Sequence, residues 1–160
     1  MIKPDYEFLG IGDIPEDFFE KEGIEYLLID IDNTLVADNA PDPDENSTRF
    51  LKFLETKKIP FYLVSNNSKE RVESFNREFG YNAVFKAGKP LSKKLNKVMN
   101  KMGAKKGKTA LIGDQIFTDL LAAKFSGIRM ILVNPINTEI ETNFFKLKRF
   151  LENIVYKRRI

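Results

Sequence analysis

Tyr26-Leu27-Leu28-Ile29-Asp30-Ile31-Asp32-Asn33-Thr34-Leu35 is the stretch on which the fold turns. An apolar run without polar alternation ends at Asp30, which is the pattern of a strand buried on both faces of a parallel sheet. Phe61-Tyr62-Leu63-Val64-Ser65, Ala83-Val84-Phe85, Ala110-Leu111-Ile112-Gly113-Asp114 and Arg129-Met130-Ile131-Leu132-Val133 read the same way. Helical patterns lie between them. Residues 44–57 carry Phe50, Leu51, Phe53 and Leu54 on one face, and 68–79 stop at Gly80. Pro90 opens a third helix that Gly103 closes, a fourth spans about 115–125 before Gly127, and Thr138-Glu139-Ile140-Glu141 fits a capping box heading a fifth. The alternation predicts an α/β fold, a doubly wound parallel sheet of five main strands with right-handed crossovers. At 160 residues the chain suits one domain, 1–160, with 1–23 as an N-terminal extension and 139–160 as a basic amphipathic C-terminal helix.

In such a sheet the site lies at the carboxyl ends of the strands. Asp30, Ser65 and Asp114 each close a predicted strand, and Lys89 follows the Ala83-Val84-Phe85 strand. Polar residues commonly terminate strands one at a time. Four at one edge, all suited to phosphate chemistry, point to a site.

The chain has no cysteine and no histidine. That removes thiolate and imidazole nucleophiles, Ser-His-Asp triads, Cys/His zinc sites and disulfides. Carboxylate chemistry remains, and a donor set of Asp, Ser, Asn and Lys suits Mg²⁺ over a softer metal. Hydrolysis of a phosphate monoester needs a nucleophile, neutralised charge and a proton for the departing oxygen. Asp30 can attack phosphorus, and Asp32 can serve as general acid and then general base. Asp30 and Asp114 are the best candidates to hold Mg²⁺. Ser65 and Asn66 can donate to phosphoryl oxygens, Lys89 supplies fixed positive charge, and Asp119 is expected to orient Lys89 or a metal-bound water.

Other readings of these stretches fail on spacing. A calcium loop starting at Asp30 would need glycine where Leu35 stands and glutamate where Pro41 stands. Gly10-Ile11-Gly12 begins a dinucleotide fingerprint, but Pro15 holds its third glycine position and no strand is evident before it.

Asp30-Ile31-Asp32-Asn33-Thr34-Leu35, Val64-Ser65-Asn66-Asn67, Gly88-Lys89-Pro90 and Gly113-Asp114-Gln115-Ile116-Phe117-Thr118-Asp119 together resemble the four ordered motifs of the haloacid dehalogenase superfamily. The resemblance implies that Asp30 is the nucleophile and that Asp32 marks a phosphatase. It also implies that the main-chain carbonyl of Asp32 joins Asp30 and Asp114 on the metal. The gaps between motifs hold single helix–strand pairs, which leaves no room for an inserted cap domain. An open site would draw specificity from nearby loops, a second subunit, or a substrate presented by a larger body. More finely, Gly23-Ile24-Glu25-Tyr26 and the small capless form resemble subfamily IIIA and its phosphatidylglycerophosphate phosphatase branch, which implies a phospholipid headgroup as substrate. Soluble sugar, nucleotide or protein phosphates are the alternatives within the same chemistry. A non-enzymatic phospho-receiver, which has no use for Asp32, is a third reading.

Charge is segregated along the chain. Residues 79–113 contain nine lysines and no acid, and 139–160 hold six basic and three acidic residues. Lys93, Lys97 and Lys101 form one stripe, for which a solvated helix face is the common explanation. No nucleic-acid-binding motif accompanies it. No apolar run approaches the roughly 18 residues of a membrane span and no signal peptide is evident, so a cytoplasmic location is expected. The segment 144–155 has helical apolar spacing with adjacent cations; helices of this type usually dock on their own sheet, and the alternative is peripheral contact with the inner membrane surface.

Overall fold

The computed structural model describes residues 3–38, 40–137 and 143–156. A six-stranded, all-parallel sheet forms its centre: β1 (Tyr6–Phe8), β2 (Tyr26–Ile29), β3 (Phe61–Val64), β4 (Ala83–Val84), β5 (Thr109–Gly113) and β6 (Arg129–Val133), in the order β1-β6-β5-β2-β3-β4. The helices are α1 (Phe18–Lys21), α2 (Glu45–Thr56), α3 (Lys69–Asn76), α4 (Lys93–Met102), α5 (Leu121–Ser126) and α6 (Asn143–Val155).

The five expected strands are present, and β1 is a sixth. It pairs with β6 through Tyr6↔Ile131 and Phe8↔Val133, so the segment 1–23 contributes an edge strand to the sheet. A strand therefore does precede Gly10-Ile11-Gly12, contrary to the reading from sequence. Three half-exposed residues at a sheet edge leave too short an apolar pattern to register. Those glycines form a single 3₁₀ turn, Ile11–Asp13, that packs on α2. A Cβ at Gly12 would lie 3.0 Å from Asn46 Cβ, which accounts for that glycine by close packing.

Helix ends follow local chemistry. The Asp44 carboxylate accepts from Ser47 N–H at 2.8 Å at the head of α2, and Ser68 accepts from Arg71 N–H at 3.3 Å at the head of α3. The third helix starts at Lys93, after Pro90 has led a turn, and closes on Gly103 in the left-handed conformation. α3 stops at Asn76, before the expected Phe79. The Asn76 side chain takes over the pairing, accepting from Tyr81 N–H (2.8 Å) and donating to the Tyr81 carbonyl (2.6 Å). The capping box at 138–141 lies outside the described residues.

Two apolar layers fill the faces of the sheet. Phe18, Phe19, Phe50, Leu51, Leu54, Val72 and Phe75 from α1–α3 pack with Leu27, Ile29, Leu63 and Ile112. Leu95, Val98, Met99, Leu120, Ala122 and Ala123 pack with Leu28, Val64, Leu111 and Met130 on the other face, joined by Tyr156. Burial on both faces is what the unalternated strands encode. The Lys93, Lys97 and Lys101 stripe is exposed on α4, whose buried face is Leu95, Val98 and Met99. Leu111 is fully buried in β5 between β2 and β6. Leu111→Ala should lower unfolding free energy by about 2–5 kcal/mol, read as a drop in urea midpoint at unchanged slope.

Candidate active site

From β2 the chain steps to β3 and β4 on one side and then crosses back to β5 on the other, so β2 and β5 flank the point where the winding reverses. Crevices at such points are the natural ligand sites of open α/β sheets. Asp30 directly follows β2 and Asp114 directly follows β5, each one residue beyond the end of its strand. Asp30 N–H donates to the Ile112 carbonyl at 2.9 Å, which holds Asp30 to the neighbouring strand.

The core of the site is a buried carboxylate–ammonium–carboxylate bridge. Lys89 Nζ lies 2.5 Å from Asp30 Oδ1 and 2.8 Å from Asp119 Oδ1, and its side chain is 2% exposed. Burial alone would pull the Lys89 pKa down, but the charges of Asp119 and Asp30 outweigh it and hold the ammonium above its ordinary value. Asp30 is pushed well above the usual carboxylate range by burial, against the pull of Lys89 and reinforced by Asp119 and Asp114.

Lys89 is held at both ends. Asn66 Oδ1 accepts from Lys89 N–H, and Asn66 Nδ2 donates to the Lys89 carbonyl, both at 2.8 Å. The Asn66 side chain therefore positions the Lys89 loop, and Asn66 keeps its main-chain N–H and the second Nδ2 hydrogen as donors. Asp119 sits in a π-helical turn, Ile116–Leu120, and accepts from Gln115 N–H at 3.0 Å. A Cβ on Gly113 would lie 2.5 Å from Asp119 Cγ, so only glycine lets that carboxylate reach Lys89.

Asp32 points elsewhere. Arg71 Nε donates to Asp32 Oδ1 at 2.9 Å, with Arg71 Nη2 also 2.9 Å away, and Asn67 Nδ2 donates to Asp32 Oδ2 at 3.3 Å. The turn that projects it is shaped by Asn33 (φ 60°), a residue that tolerates the left-handed region, whose side-chain oxygen accepts from Asp38 N–H and Asn137 N–H. Ser65 is buried and its Oγ accepts from Asn67 N–H at 3.0 Å.

Ligand oxygens of Asp30, Asp114 and Asp119 all lie within 4.8 Å of one another. Asp114 is held by Thr34 Oγ1 on Oδ1 (3.2 Å) and by Arg149 Nη2 on Oδ2 (2.6 Å), and carboxylate oxygens keep lone pairs for a further ligand. An all-oxygen donor set of three buried carboxylates fits a hard dication. The Asp32 carboxylate stands outside this group. Above these groups opens a cavity of about 430 Å³, lined by Asp30, Asp32, Ser65, Asn66, Lys89, Lys148 and neighbouring polar residues.

Residues 13–127 match the haloacid dehalogenase-like hydrolase family. The chain belongs to that family. It is 31% identical over 133 residues to the probable phosphatase YqeG of Bacillus subtilis, covering 83% of this chain and 77% of that protein. The fold resembles 3-deoxy-D-manno-octulosonate 8-phosphate phosphatase of Moraxella catarrhalis, solved with magnesium, phosphate and sugar (TM-score 0.57, 18% identity, 76% of this chain and 75% of that one). It also resembles a putative subfamily IIIA hydrolase of Legionella pneumophila (TM-score 0.57, 18% identity, 76% and 71%).

Seen as a haloacid dehalogenase-like site, the edge gathers Asp30, Lys89, Asp114 and Asp119 into one buried cluster, with Ser65 and Asn66 at the same cavity. Sequence reasoning missed Thr34, Arg71, Lys148 and Arg149. Thr34 stood within the first motif and was the one with a local signal. Asn66→Ala should lower kcat about 100-fold by releasing the Lys89 loop, with a melting temperature close to wild type. A kcat within threefold of wild type would show that Lys89 does not depend on Asn66.

Proposed function

We propose that this haloacid dehalogenase-type phosphatase removes the terminal phosphate from a lipid-borne phosphomonoester, with phosphatidylglycerophosphate as the favoured substrate. The observation that carries the chemistry is the Asp30–Lys89–Asp119 bridge at the floor of a polar cavity, with Asp32 moored at its rim.

Asp30 attacks phosphorus as the bond to the alcohol oxygen breaks, and Asp32 delivers a proton to that oxygen, leaving an aspartyl phosphate. Asp32 then takes a proton from water, which attacks phosphorus, releases inorganic phosphate and restores Asp30. Arg71 and Asn67 moor Asp32 beside the path of the alcohol between these two duties. Lys89 balances charge as it builds on the phosphoryl oxygens, and Ser65 with the main chain at Asn66 supplies donors to them. Mg²⁺, held by Asp30, Asp114 and the Asp32 carbonyl, would neutralise the repulsion between carboxylate and phosphate.

Two features favour a substrate at a lipid surface. No inserted cap domain among the described residues encloses the cavity. In addition, α6 exposes Leu147, Phe150, Leu151, Ile154 and Val155, one helical stripe, with Lys146 beside it. Peripheral contact through this stripe would present a headgroup to the cavity. No helix among the described residues is long and apolar enough to cross a membrane.

Asp30→Asn should reduce turnover by at least about 1,000-fold, and Asp32→Asn by about 100- to 10,000-fold. Wild-type activity in Asp30→Asn would overturn the mechanism. Mg²⁺ at about 100 times its Kd should add about 2.7 kcal/mol to the stability of chelator-treated protein, read by thermal melting. For the substrate, the assay compares phosphatidylglycerophosphate in anionic phospholipid vesicles with soluble sugar and nucleotide monophosphates. Efficient turnover of the soluble esters with none of the lipid would end the lipid reading.

A further inference from the structure

Helix α6 is amphipathic in the sense opposite to a helix docked on a core. Its described outward residues Leu147, Phe150, Leu151, Ile154 and Val155 are apolar, while Lys148, Arg149 and Glu152 turn towards the body. Glu152 is 2% exposed and accepts from Phe117 N–H at 2.8 Å, securing the helix to the turn that carries Asp119. Tyr156, one turn further on, is buried and hydrogen-bonds to Glu7 on β1. These two anchors fix the position of the helix along the site. A polar inner face makes sense if the helix faces the catalytic cavity.

Lys148 lines that cavity. Its Nζ donates to Gln115 Oε1 at 2.5 Å, and the same oxygen accepts from Thr118 Oγ1 at 3.1 Å. Gln115 immediately follows Asp114, so Lys148 is fixed on the β5 rim, and Asp32 and Asn67 form the rim on the β3 side. The floor is already furnished: Lys89 is shared between Asp30 and Asp119, and Ser65 lies beside Asn66. A monoester with its phosphorus placed for attack by Asp30 must send its alcohol portion out between the two rims. Lys148 stands where that portion passes. Burial lowers its pKa against the opposing pull of Glu152, Asp119 and Asp114.

We propose that Lys148 is a specificity-determining residue that binds a second anionic group, a phosphodiester or carboxylate oxygen, on the alcohol side of the substrate. The inference rests on the phosphatase chemistry above and does not require the lipid reading. The family match covers residues 13–127, and α6 lies beyond it.

The test uses the full chain and three soluble probes: glycerol phosphate, 3-phosphoglycerate, which replaces a terminal hydroxymethyl with a carboxylate, and deacylated glycerophosphoglycerol phosphate, which adds a phosphodiester. Wild type should prefer one or both doubly anionic probes over glycerol phosphate in kcat/KM, and the preferred probe identifies the group as carboxylate or phosphodiester. Lys148→Gln should collapse that preference by about 10- to 100-fold, the size expected for a charge-assisted hydrogen bond, through KM with little change in kcat. Lys148→Arg should restore most of it. A wild type without the preference, or a Lys148→Gln loss shared equally by all three probes, overturns the proposal; the latter is the result of a purely structural role. Absence of turnover of all three probes overturns this proposal alone if sugar or nucleotide monophosphates are still hydrolysed; absence of turnover of those as well defeats the phosphatase reading itself, and this inference with it.

Discussion

The ammonium of Lys89, buried between Asp30 and Asp119, is the constraint around which the rest of the site is built. Three carboxylates brought together out of water repel each other and lose their hydration, and Lys89 with Arg149, which pairs Asp114, offsets that in part. The features around it follow. Asn66 grips the main chain of Lys89 from both sides, Gly113 makes room for Asp119, and a π-helical turn aims Asp119 back at the sheet edge. The sheet supplies the scaffold: its winding reverses between β2 and β5, so Asp30 and Asp114 become neighbours although 84 positions separate them in the sequence.

Positive charge reaches the site from two helices as well as from Lys89. Arg149 reaches Asp114 from α6, and Arg71 reaches Asp32 from α3, so Asp114 within the cluster and Asp32 outside it each meet a guanidinium from a helix. The donors at the floor are fixed by main-chain contacts and the partners at the rim by side chains. A rigid floor with a side-chain rim suits a reaction in which the phosphoryl group is always the same and the alcohol varies.

Much of this was legible in the sequence because it is local. Unalternated apolar runs ending in Asp or Ser marked the strands of the sheet interior and the residues at their ends, and the absence of histidine and cysteine left carboxylates to do the chemistry. What escaped notice depends on distant pairing. β1 has three residues and a single neighbouring strand, too little for a periodic signal. Arg71 lies among Lys69, Glu70 and Glu73, where one more charge reads as a solvated helix face until Asp32, 39 positions away, is placed beside it. The C-terminal helix showed its amphipathic spacing plainly, but spacing does not say which face turns inward. The inner face proved to be Lys148, Arg149 and Glu152, which bond to Gln115, to Asp114 and to the N–H of Phe117.

The central claim is that the Asp30 carboxylate becomes covalently phosphorylated during turnover. Rapid acid quenching of the wild-type protein with substrate and Mg²⁺, followed by peptide mass spectrometry, tests it most directly. The account predicts one added phosphoryl group on the peptide containing Asp30, formed and lost at rates matching turnover. Turnover with no covalent phosphate at Asp30, or with the phosphate on another residue, would contradict it.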